Sequence, residues 1–534
     1  MISDLTTVRE RTFKVMRHHR MTRIFGNPGS TEIPFLTDLP PEFEFVLALH
    51  EGSVVGIASG YALATDTPAF VNLHTAPGLG HAGNAIAGAR DSRAPLVIVV
   101  GQQDRAHSAM APFLTGRDLE RLAGNYPVWT CTPTRPQDLP GAIARAWHEA
   151  RTARGPALVI APMGDWAAPA DPDAVGAPER LVLSSSADPA GASELAAAIE
   201  DARSPAIVVG AGTDSDEGWA GTVALAERLG CPVWQEAFGD RAGFPQDHPL
   251  WAGHLHWRRT LMRAALAPHD LLIVLGAGAM RLYMYEPGPF LEPHTRIVVV
   301  SADPEQLHRS TATLAFLASP GPLAAAAAEL VGARPFDPAA AALHAPPPPP
   351  PPPAPGEPLA PGHVFAALAE RLPPEAVIVE ESPSSRPELL ERIRVRTPMG
   401  FVSNANGGLG FGLSGAIGLR MGMPQRPVVA VLGDGSALYA IHALWSAARY
   451  GVGLLVIVMA NGSYAVMDAL ARDEGGKGPW PAFDNVQIAA IAAALGCPSQ
   501  RISAHDELLA ALDELVPTLA ARDTPLLLEV AVSA

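Results

Sequence analysis

The chain has 534 residues, of which 48% are hydrophobic, 38 are Lys or Arg and 54 are Asp or Glu. This length suffices for about three or four domains, and the formal net charge of −16 argues against nucleic acid or an anionic membrane as a partner. The first 20 residues are too charged for a secretory signal and the apolar runs are of strand length, so we expect no membrane segment and a cytoplasmic location.

The N-terminal third alternates apolar strands with helical stretches, which predicts a parallel sheet. The predicted strands lie at residues 23–26, 43–49, 69–73 and 95–100. Polar residues follow the first three, namely Ser30, Glu51 and His74. Because parallel strands end at one sheet edge, where α/β folds bind ligands, we expect these three side chains to share an active site.

Each of these residues also has a purely structural explanation. Ser30 could cap a helix that begins near Glu32, Glu51 could favour a helix N-terminus through its charge, and His74 could be a hydrogen-bonded core imidazole. Taken singly, these explanations are favoured. The shared edge makes the functional interpretation the better one.

The middle of the chain begins after a polar, Pro- and Ser-rich passage at residues 167–189, and strands are predicted at 206–210, 271–275 and 296–300. Eight consecutive prolines, at residues 346–353, then form the clearest boundary. We predict polyproline II there, serving as a stiff interdomain spacer rather than as a docking site for another protein. The predicted division is residues 1–175, 185–340, a Pro-rich linker at 341–358, and 359–534.

The C-terminal part contains a strand, a predicted helix at residues 439–450 and a second strand, a unit whose two strands are parallel and adjacent. Asp434 closes the first strand and Asn461 the second, so two oxygen donors lie at one sheet edge. Gly433, Gly435 and Ser436 would let a phosphate approach, and Mg²⁺ prefers oxygen ligands. A tight turn capped by Asp434 is the alternative, but Asn461 favours a magnesium diphosphate site.

The segment from Gly433-Asp434-Gly435 through Asn461 resembles the thiamine diphosphate signature. The residues around Ser30, Glu51 and His74 (FGNPGSTEIPFL, LALHEGSVVGIASGYA and PAFVNLHTAPG) resemble the benzoylformate decarboxylase branch of the thiamine diphosphate-dependent 2-oxo acid decarboxylase and acetohydroxyacid synthase-like family. The resemblance covers nearly the whole chain. It implies three doubly wound α/β domains with parallel sheets, in the order pyrimidine-binding, middle and diphosphate-binding, and a homodimer at least, with a homotetramer expected.

The resemblance also implies roles for individual residues. Asp434, Asn461 and the backbone carbonyl of Ser463 would bind the metal, and Glu51 would bind the cofactor's aminopyrimidine ring. His74 and Ser30 would contact the substrate and handle its protons. The other residues implied at the cofactor are Asn27, Pro28, Gly29, Gly407, Leu409, Tyr464, Ala465 and Val466, with Leu409 supporting the cofactor's bent shape.

Tyr283 stands where the family carries a second active-site histidine, and a phenol is a poorer proton shuttle than an imidazole. Phe113, Leu114, Met467 and Leu470 would form an apolar wall, although each is by default a core residue.

We expect decarboxylation of an aromatic or bulky 2-oxo acid to an aldehyde and carbon dioxide, with thiamine diphosphate and Mg²⁺. The alternatives are a carboligase that joins two carbonyl compounds, to which Tyr283 points, and an inactive cofactor-binding scaffold subunit.

Overall fold

The computed structural model describes residues 6–171, 178, 181–335, 345–354 and 356–533, in which three six-stranded sheets are built from parallel strand pairs. The fold is therefore the predicted succession of α/β units. The expected domain limits at residues 175 and 340/341 lie outside the described residues. Among the described helices, none is long and apolar enough to cross a membrane.

The first sheet has the strand order β2-β1-β3-β4-β6-β5. Three of its inner strands, at residues 69–73, 96–102 and 156–162, are apolar runs buried along nearly their whole length, as expected for a parallel sheet covered by helices. The strands are β1 (Arg23–Asn27), β2 (Glu44–Leu47), β3 (Ala69–Leu73), β4 (Leu96–Gln102), β5 (Trp129–Cys131) and β6 (Pro156–Pro162). The helices are α1 (Val8–His18), α2 (Ile33–Leu36), α3 (Glu51–Thr65), α4 (Thr75–His81), α5 (Gly83–Asp91), α6 (Leu119–Leu122) and α7 (Leu139–Ala153).

The middle sheet has the order β12-β11-β10-β7-β8-β9. Its strands are β7 (Pro205–Val209), β8 (Val233–Gln235), β9 (Trp251–His254), β10 (Leu271–Leu275), β11 (Arg296–Ser301) and β12 (Leu314–Leu317). The helices are α8 (Pro189–Glu200), α9 (Asp216–Leu229), α10 (Arg259–Leu266), α11 (Pro304–His308) and α12 (Pro320–Leu330).

The third sheet has the order β14-β13-β15-β16-β18-β17, which repeats the order of the first sheet. Its strands are β13 (Val377–Glu381), β14 (Phe401–Ser403), β15 (Val428–Gly433), β16 (Leu455–Ala460), β17 (Ser499–Ile502) and β18 (Leu526–Ala531). The helices are α13 (Pro361–Arg371), α14 (Arg386–Arg392), α15 (Phe411–Gly422), α16 (Asp434–Leu438), α17 (Ala443–Arg449), α18 (Ala465–Asp473), α19 (Ile488–Ala494) and α20 (His505–Leu515).

The strand–helix–strand unit of the third sheet is confirmed in part. Strands β15 and β16 are parallel neighbours, with Gly433 opposite Met459. The single helix predicted at 439–450 is wrong, because the connection contains two short helices, α16 and α17, separated by a turn. His442 in this turn hydrogen-bonds the Ser53 hydroxyl of α3 at 3.0 Å, a tertiary contact that local sequence does not reveal.

Helices α3 and α15 join the first and third sheets of the chain. Their backbones lie so close that a Cβ on Gly60 would collide with the Gly415 carbonyl, and one on Gly418 with the Ile57 carbonyl. The Ser53 and Ser414 hydroxyls hydrogen-bond across this contact at 3.2 Å. Small residues therefore fix how the two sheets sit relative to each other.

The proline run lies along the third domain and is not a free-standing spacer. Arg392 donates to the carbonyl oxygens of Pro347 and Pro348, at 3.4 and 3.1 Å, and the His363 ring pairs with the Pro351 carbonyl at 2.9 Å. Residues 347, 350 and 353 are half-buried and their neighbours exposed. This period of three matches a polyproline II helix with one face packed against the protein.

Candidate functional site

Glu51 is the first residue of α3, four positions after the last residue of strand β2, and it is 8% exposed. Its Oε1 accepts a hydrogen bond from the Asn27 amide at 3.1 Å, and its Oε2 pairs with His81 Nδ1 at 3.2 Å. Glu51 therefore does more than favour a helix terminus, because neighbouring side chains hold each carboxylate oxygen in place. His81 was not singled out from the sequence, since its place at the end of α4 gives it no motif.

His74 follows strand β3 and is half-buried. Its Nδ1 lies 2.9 Å from Thr31 Oγ1 and 2.9 Å from Glu32 Oε2, and Glu32 is 1% exposed. A Cβ on Gly29 would collide with the His74 ring, so the glycine makes room for the imidazole. With Nδ1 held by these partners, Nε2 is the ring nitrogen that can face a substrate.

The loop after β1 carries the remaining predicted residues of the first sheet. Asn27 is half-buried, whereas Pro28 and Ser30 are exposed. Ser30 is not the cap of α2, because the residue before that helix is Glu32 and no side chain caps it. The structure thus places Asn27, Ser30, Glu51 and His74 at the carboxyl ends of neighbouring strands β1, β2 and β3.

Asp434 and Asn461 follow the adjacent strands β15 and β16. The two Asp434 oxygens accept from the backbone N–H groups of Gly435, at 2.8 Å, and of Gly462, at 2.7 Å. The Asn461 Oδ1 accepts from the Ser463 N–H at 3.0 Å. Burial raises the pKa of the Asp434 carboxyl, although these backbone donors oppose the rise.

The residues around Asp434 form a crowded loop. Ser436 is 6% exposed and Gly433 is the N-cap of α16. A Cβ on Gly435 would lie 2.7 Å from a ring carbon of Tyr464, which packs against Phe483. Ala465 begins α18, and the Val466 N–H donates to Ser384 Oγ at 3.2 Å.

Gly407 and Leu409 lie in the loop before α15, where Gly407 has φ +74. The Leu409 carbonyl accepts from the Asn84 amide of the first sheet's α5 at 3.0 Å. Glu381, at the end of β13, accepts from the N–H groups of Gly410 and Gly412 at 2.8 and 2.7 Å. Burial raises the pKa of Glu381 to about 7, so a buried acid that sequence reasoning missed anchors the Leu409 loop.

Tyr283 lies in the middle sheet's domain and is 60% exposed. Its ring meets those of Phe238 and Trp257 edge-on, each at 5.9 Å. Phe113 is 88% exposed, Met467 42% and Leu114 36%, so the default assignment of these three residues to the core is wrong. Such exposed apolar residues occur in the domain of Glu51 and in the domain of Asp434. They are typical of surfaces that a substrate or a second subunit covers.

A cavity of about 1080 Å³ lies between the three domains. Its wall includes Arg241, Arg281 and two buried acids, Asp214 and Glu236. Burial raises the pKa of Asp214 to about 6 and that of Glu236 to about 8. Neither Glu51 nor Asp434 lines this cavity.

Family models of the thiamine pyrophosphate enzymes match three parts of the chain. The N-terminal TPP binding domain matches residues 6–119, the central domain 192–327, and the C-terminal TPP binding domain 388–530. The first segment contains strands β1 to β4, the second contains the whole middle sheet, and the third contains β14 to β17 and nearly all of β18.

Individual proteins are similar over the full length. The chain is 36% identical over 532 residues to the benzoylformate decarboxylase of Pseudomonas aeruginosa, covering 98% of this chain and 99% of that protein. It is 27% identical over 471 residues to the acetolactate synthase large subunit of Parasynechococcus marenigrum, covering 84% and 75%. Among solved structures, the thiamine diphosphate-dependent 4-hydroxybenzoylformate decarboxylase of Rhodococcus jostii RHA1 matches with a TM-score of 0.92 and 32% identity, covering 99% of both chains.

Proposed function

The chain belongs to the thiamine diphosphate-dependent 2-oxo acid decarboxylase family, and we propose that it converts an aromatic or bulky 2-oxo acid to an aldehyde and carbon dioxide with thiamine diphosphate and Mg²⁺. The observation that carries the proposal is that Asp434 is buried without a cationic partner. This carboxylate is 7% exposed, and among the described residues it takes part in no ion pair. A buried carboxylate that lacks a cation fits a metal site.

The neighbouring donors suit Mg²⁺ rather than a softer metal. Asp434 and Asn461 offer carboxylate and amide oxygens, and the Ser463 carbonyl follows two residues after Asn461. Mg²⁺ takes one or two such protein ligands and completes its shell with phosphate oxygens and water. We assign Asp434, Asn461 and the Ser463 carbonyl to the metal, and Gly433, Gly435 and Ser436 to the diphosphate.

Bound thiamine diphosphate supplies a nucleophilic carbon that adds to the oxo group and accepts the electron pair left by carbon dioxide. Glu51 would hold and release a proton at its carboxyl group, where it would bind the cofactor's pyrimidine ring. The Asn27 amide and His81 keep that carboxyl in one orientation. The wall beside the cofactor's pyrimidine ring would be formed by Asn27, Pro28 and Gly29. The residues assigned to the part of the cofactor nearer its diphosphate are Gly407, Leu409, Tyr464, Ala465 and Val466.

His74 acts on the substrate. Glu32 accepts a hydrogen bond from Nδ1, which leaves Nε2 able to give a proton to the substrate oxygen or take one from it. Ser30, exposed in the same loop, is assigned to the substrate carboxylate or oxo group. Tyr283 is assigned to proton transfer during product formation.

We propose that each complete site is shared by two subunits, so that the enzyme is at least a homodimer and is expected to be a homotetramer. The exposed apolar side chains of Met110, Phe113 and Met467 support this arrangement, because a partner would remove them from water. The same residues would supply an apolar wall for a bulky substrate.

The test is to incubate purified protein with thiamine diphosphate, Mg²⁺ and a panel of aromatic, branched and linear 2-oxo acids, measuring carbon dioxide and organic products together. We expect equal amounts of carbon dioxide and aldehyde, highest with aromatic acids, and loss of both in Glu51→Gln. Glu44→Gln, which changes an exposed carboxylate of β2, serves as the matched control. No carbon dioxide from any acid would refute the proposal.

Carboligation is the second candidate, favoured by Tyr283 in place of the family's histidine and by the similarity to an acetolactate synthase subunit. Under this candidate, carbon dioxide release with an added aldehyde acceptor yields a chiral acyloin in excess of free aldehyde. Tyr283→His should then shift the products toward aldehyde.

A further inference from the structure

Two histidines lie beside Glu51, in positions that no motif of the sequence singles out. A ring nitrogen of His50, a carboxylate oxygen of Glu51 and a ring nitrogen of His81 all lie within 4.8 Å of one another. The two imidazoles are stacked, with centroids 5.4 Å apart and planes inclined by 22°. Two imidazoles therefore converge on the carboxylate assigned to the cofactor, and the cluster offers three potential metal ligands.

The backbone holds these three residues in place. His50 is the N-cap of α3 and Glu51 is its first residue, while His81 is the last residue of α4. Ligands on the ends of regular helices are held more precisely than ligands on loops. The site is also reachable, because the His81 side chain is 61% exposed.

The donor set matches transition-metal chemistry. Two imidazoles and one carboxylate bind Zn²⁺ and related divalent metals, whereas Mg²⁺ prefers oxygen ligands alone. Two ligands of a tetrahedral zinc ion, each about 2.0–2.1 Å from the metal, lie about 3.4 Å apart. His81 Nδ1 and Glu51 Oε2, at 3.2 Å, already have nearly this separation.

His50 needs a small adjustment to complete the set. Its Nδ1 now accepts the N–H of Gly52 at 3.0 Å, so a neutral His50 carries its proton on Nε2. Ligation requires either a rotation of the ring or a proton shift that gives up this hydrogen bond, at a cost of about 1 kcal/mol. The Gly52 N–H belongs to the first turn of a helix, where water can replace the lost acceptor.

We propose that His50, Glu51 and His81 form a binding site for a zinc-like transition-metal dication, and that this metal and thiamine diphosphate exclude each other. The exclusion rests on the proposed function, because the metal occupies the carboxylate that the cofactor's pyrimidine requires. Metal binding itself does not depend on that function. The site would make the enzyme sensitive to free transition metal while Mg²⁺ binds undisturbed at Asp434.

The test uses metal-free, cofactor-free full-length protein titrated with Zn²⁺ in competition with a chromophoric chelator. We expect one site per chain, weakened at least about tenfold in His81→Gln and in His50→Gln. His294→Gln, at an exposed histidine of the middle domain, should leave it unchanged. Thermal melting of each variant checks that it is folded, and zinc affinity unchanged in both cluster variants would overturn the proposal.

A second titration separates this proposal from the proposed function. Thiamine diphosphate with Mg²⁺ is titrated by tryptophan fluorescence with and without saturating Zn²⁺. We expect Zn²⁺ to weaken cofactor binding, and the cofactor to weaken Zn²⁺ binding by the same factor. Independent binding of the two would overturn the exclusion, whereas protein that binds Zn²⁺ as expected but no cofactor would contradict the proposed function alone.

Discussion

The first and third sheets have the same strand order and present different chemistry at the same edge. The carboxyl ends of β1, β2 and β3 carry the two titratable groups proposed to move protons, Glu51 and His74, each held by side-chain partners. The ends of β15 and β16 carry oxygen donors, Asp434 and Asn461, held by backbone N–H groups. Under the proposed function, one scaffold supports proton transfer in one copy and cation binding in the other, because function resides in the residues placed at the edge.

Among the proposed substitutions, Glu51→Gln, which removes a proposed proton-transfer group of the first sheet, should have the largest effect. The amide keeps the shape but cannot exchange a proton, so we expect kcat to fall by about 10²–10⁴-fold. Cofactor affinity should change by a few-fold at most. Steady-state kinetics with cofactor titration checks this prediction, and Glu44→Gln is the control. A normal kcat would contradict the role of Glu51.

Asp434→Asn should remove a proposed metal ligand of the third sheet. In contrast to Glu51→Gln, it should lower cofactor affinity more than kcat. Loss of the buried negative charge should weaken apparent binding of thiamine diphosphate and Mg²⁺ by about 100-fold. Saturating cofactor should then restore much of kcat. Asp473→Asn, at an exposed position at the end of α18, is the matched control. Unchanged cofactor affinity in Asp434→Asn would refute the metal assignment.

Glu32→Gln tests whether the buried partner of His74 matters. Because Glu32 holds His74 Nδ1, its loss should lower kcat by about 10–100-fold, the cost typical of losing a residue that orients a functional histidine. Cofactor affinity should not change, and the pH profile of kcat should alter as the imidazole loses its orienting carboxylate. A uniform loss of folded protein with no change in the pH profile would indicate a structural role only.

Glu381→Gln should show its effect on stability, with the smallest change in catalysis. Burial raises the pKa of Glu381 to about 7 from an ordinary 4.5, so the folded protein holds this proton more tightly than the unfolded chain. The contribution to stability is fully present below pH 4.5 and is lost as the pH rises to about 7, amounting to about 3 kcal/mol.

Melting temperatures of cofactor-free wild type and Glu381→Gln, measured from pH 4.5 to pH 8, check this prediction. Because other buried acids titrate in both proteins, the difference between the two curves isolates Glu381. Wild type should lose stability relative to the variant as the pH rises. Parallel curves would contradict the assignment of the shift to this residue.

The sequence predicted the parallel sheets, the adjacency of β15 and β16 and the edge positions of Glu51, His74, Asp434 and Asn461, because these follow from apolar runs and the residues that end them. It did not predict the break between α16 and α17, where His442 hydrogen-bonds Ser53 from far away in the chain. Glu32, His81 and Glu381 were likewise missed. Their roles come from burial and from partners in other elements, which carry no local signal.

The central claim is that the two sheet edges form one site across two subunits, and complementation between inactive chains tests it most directly. Glu51→Gln and Asp434→Asn chains with different affinity tags are co-expressed, and dimers that carry both tags are isolated. If the site is shared, one of the two sites in each mixed dimer has both wild-type residues, so about half of wild-type activity should return at limiting cofactor. Activity no higher than that of either parent variant would contradict the account, because it would place Glu51 and Asp434 of the same chain in one site.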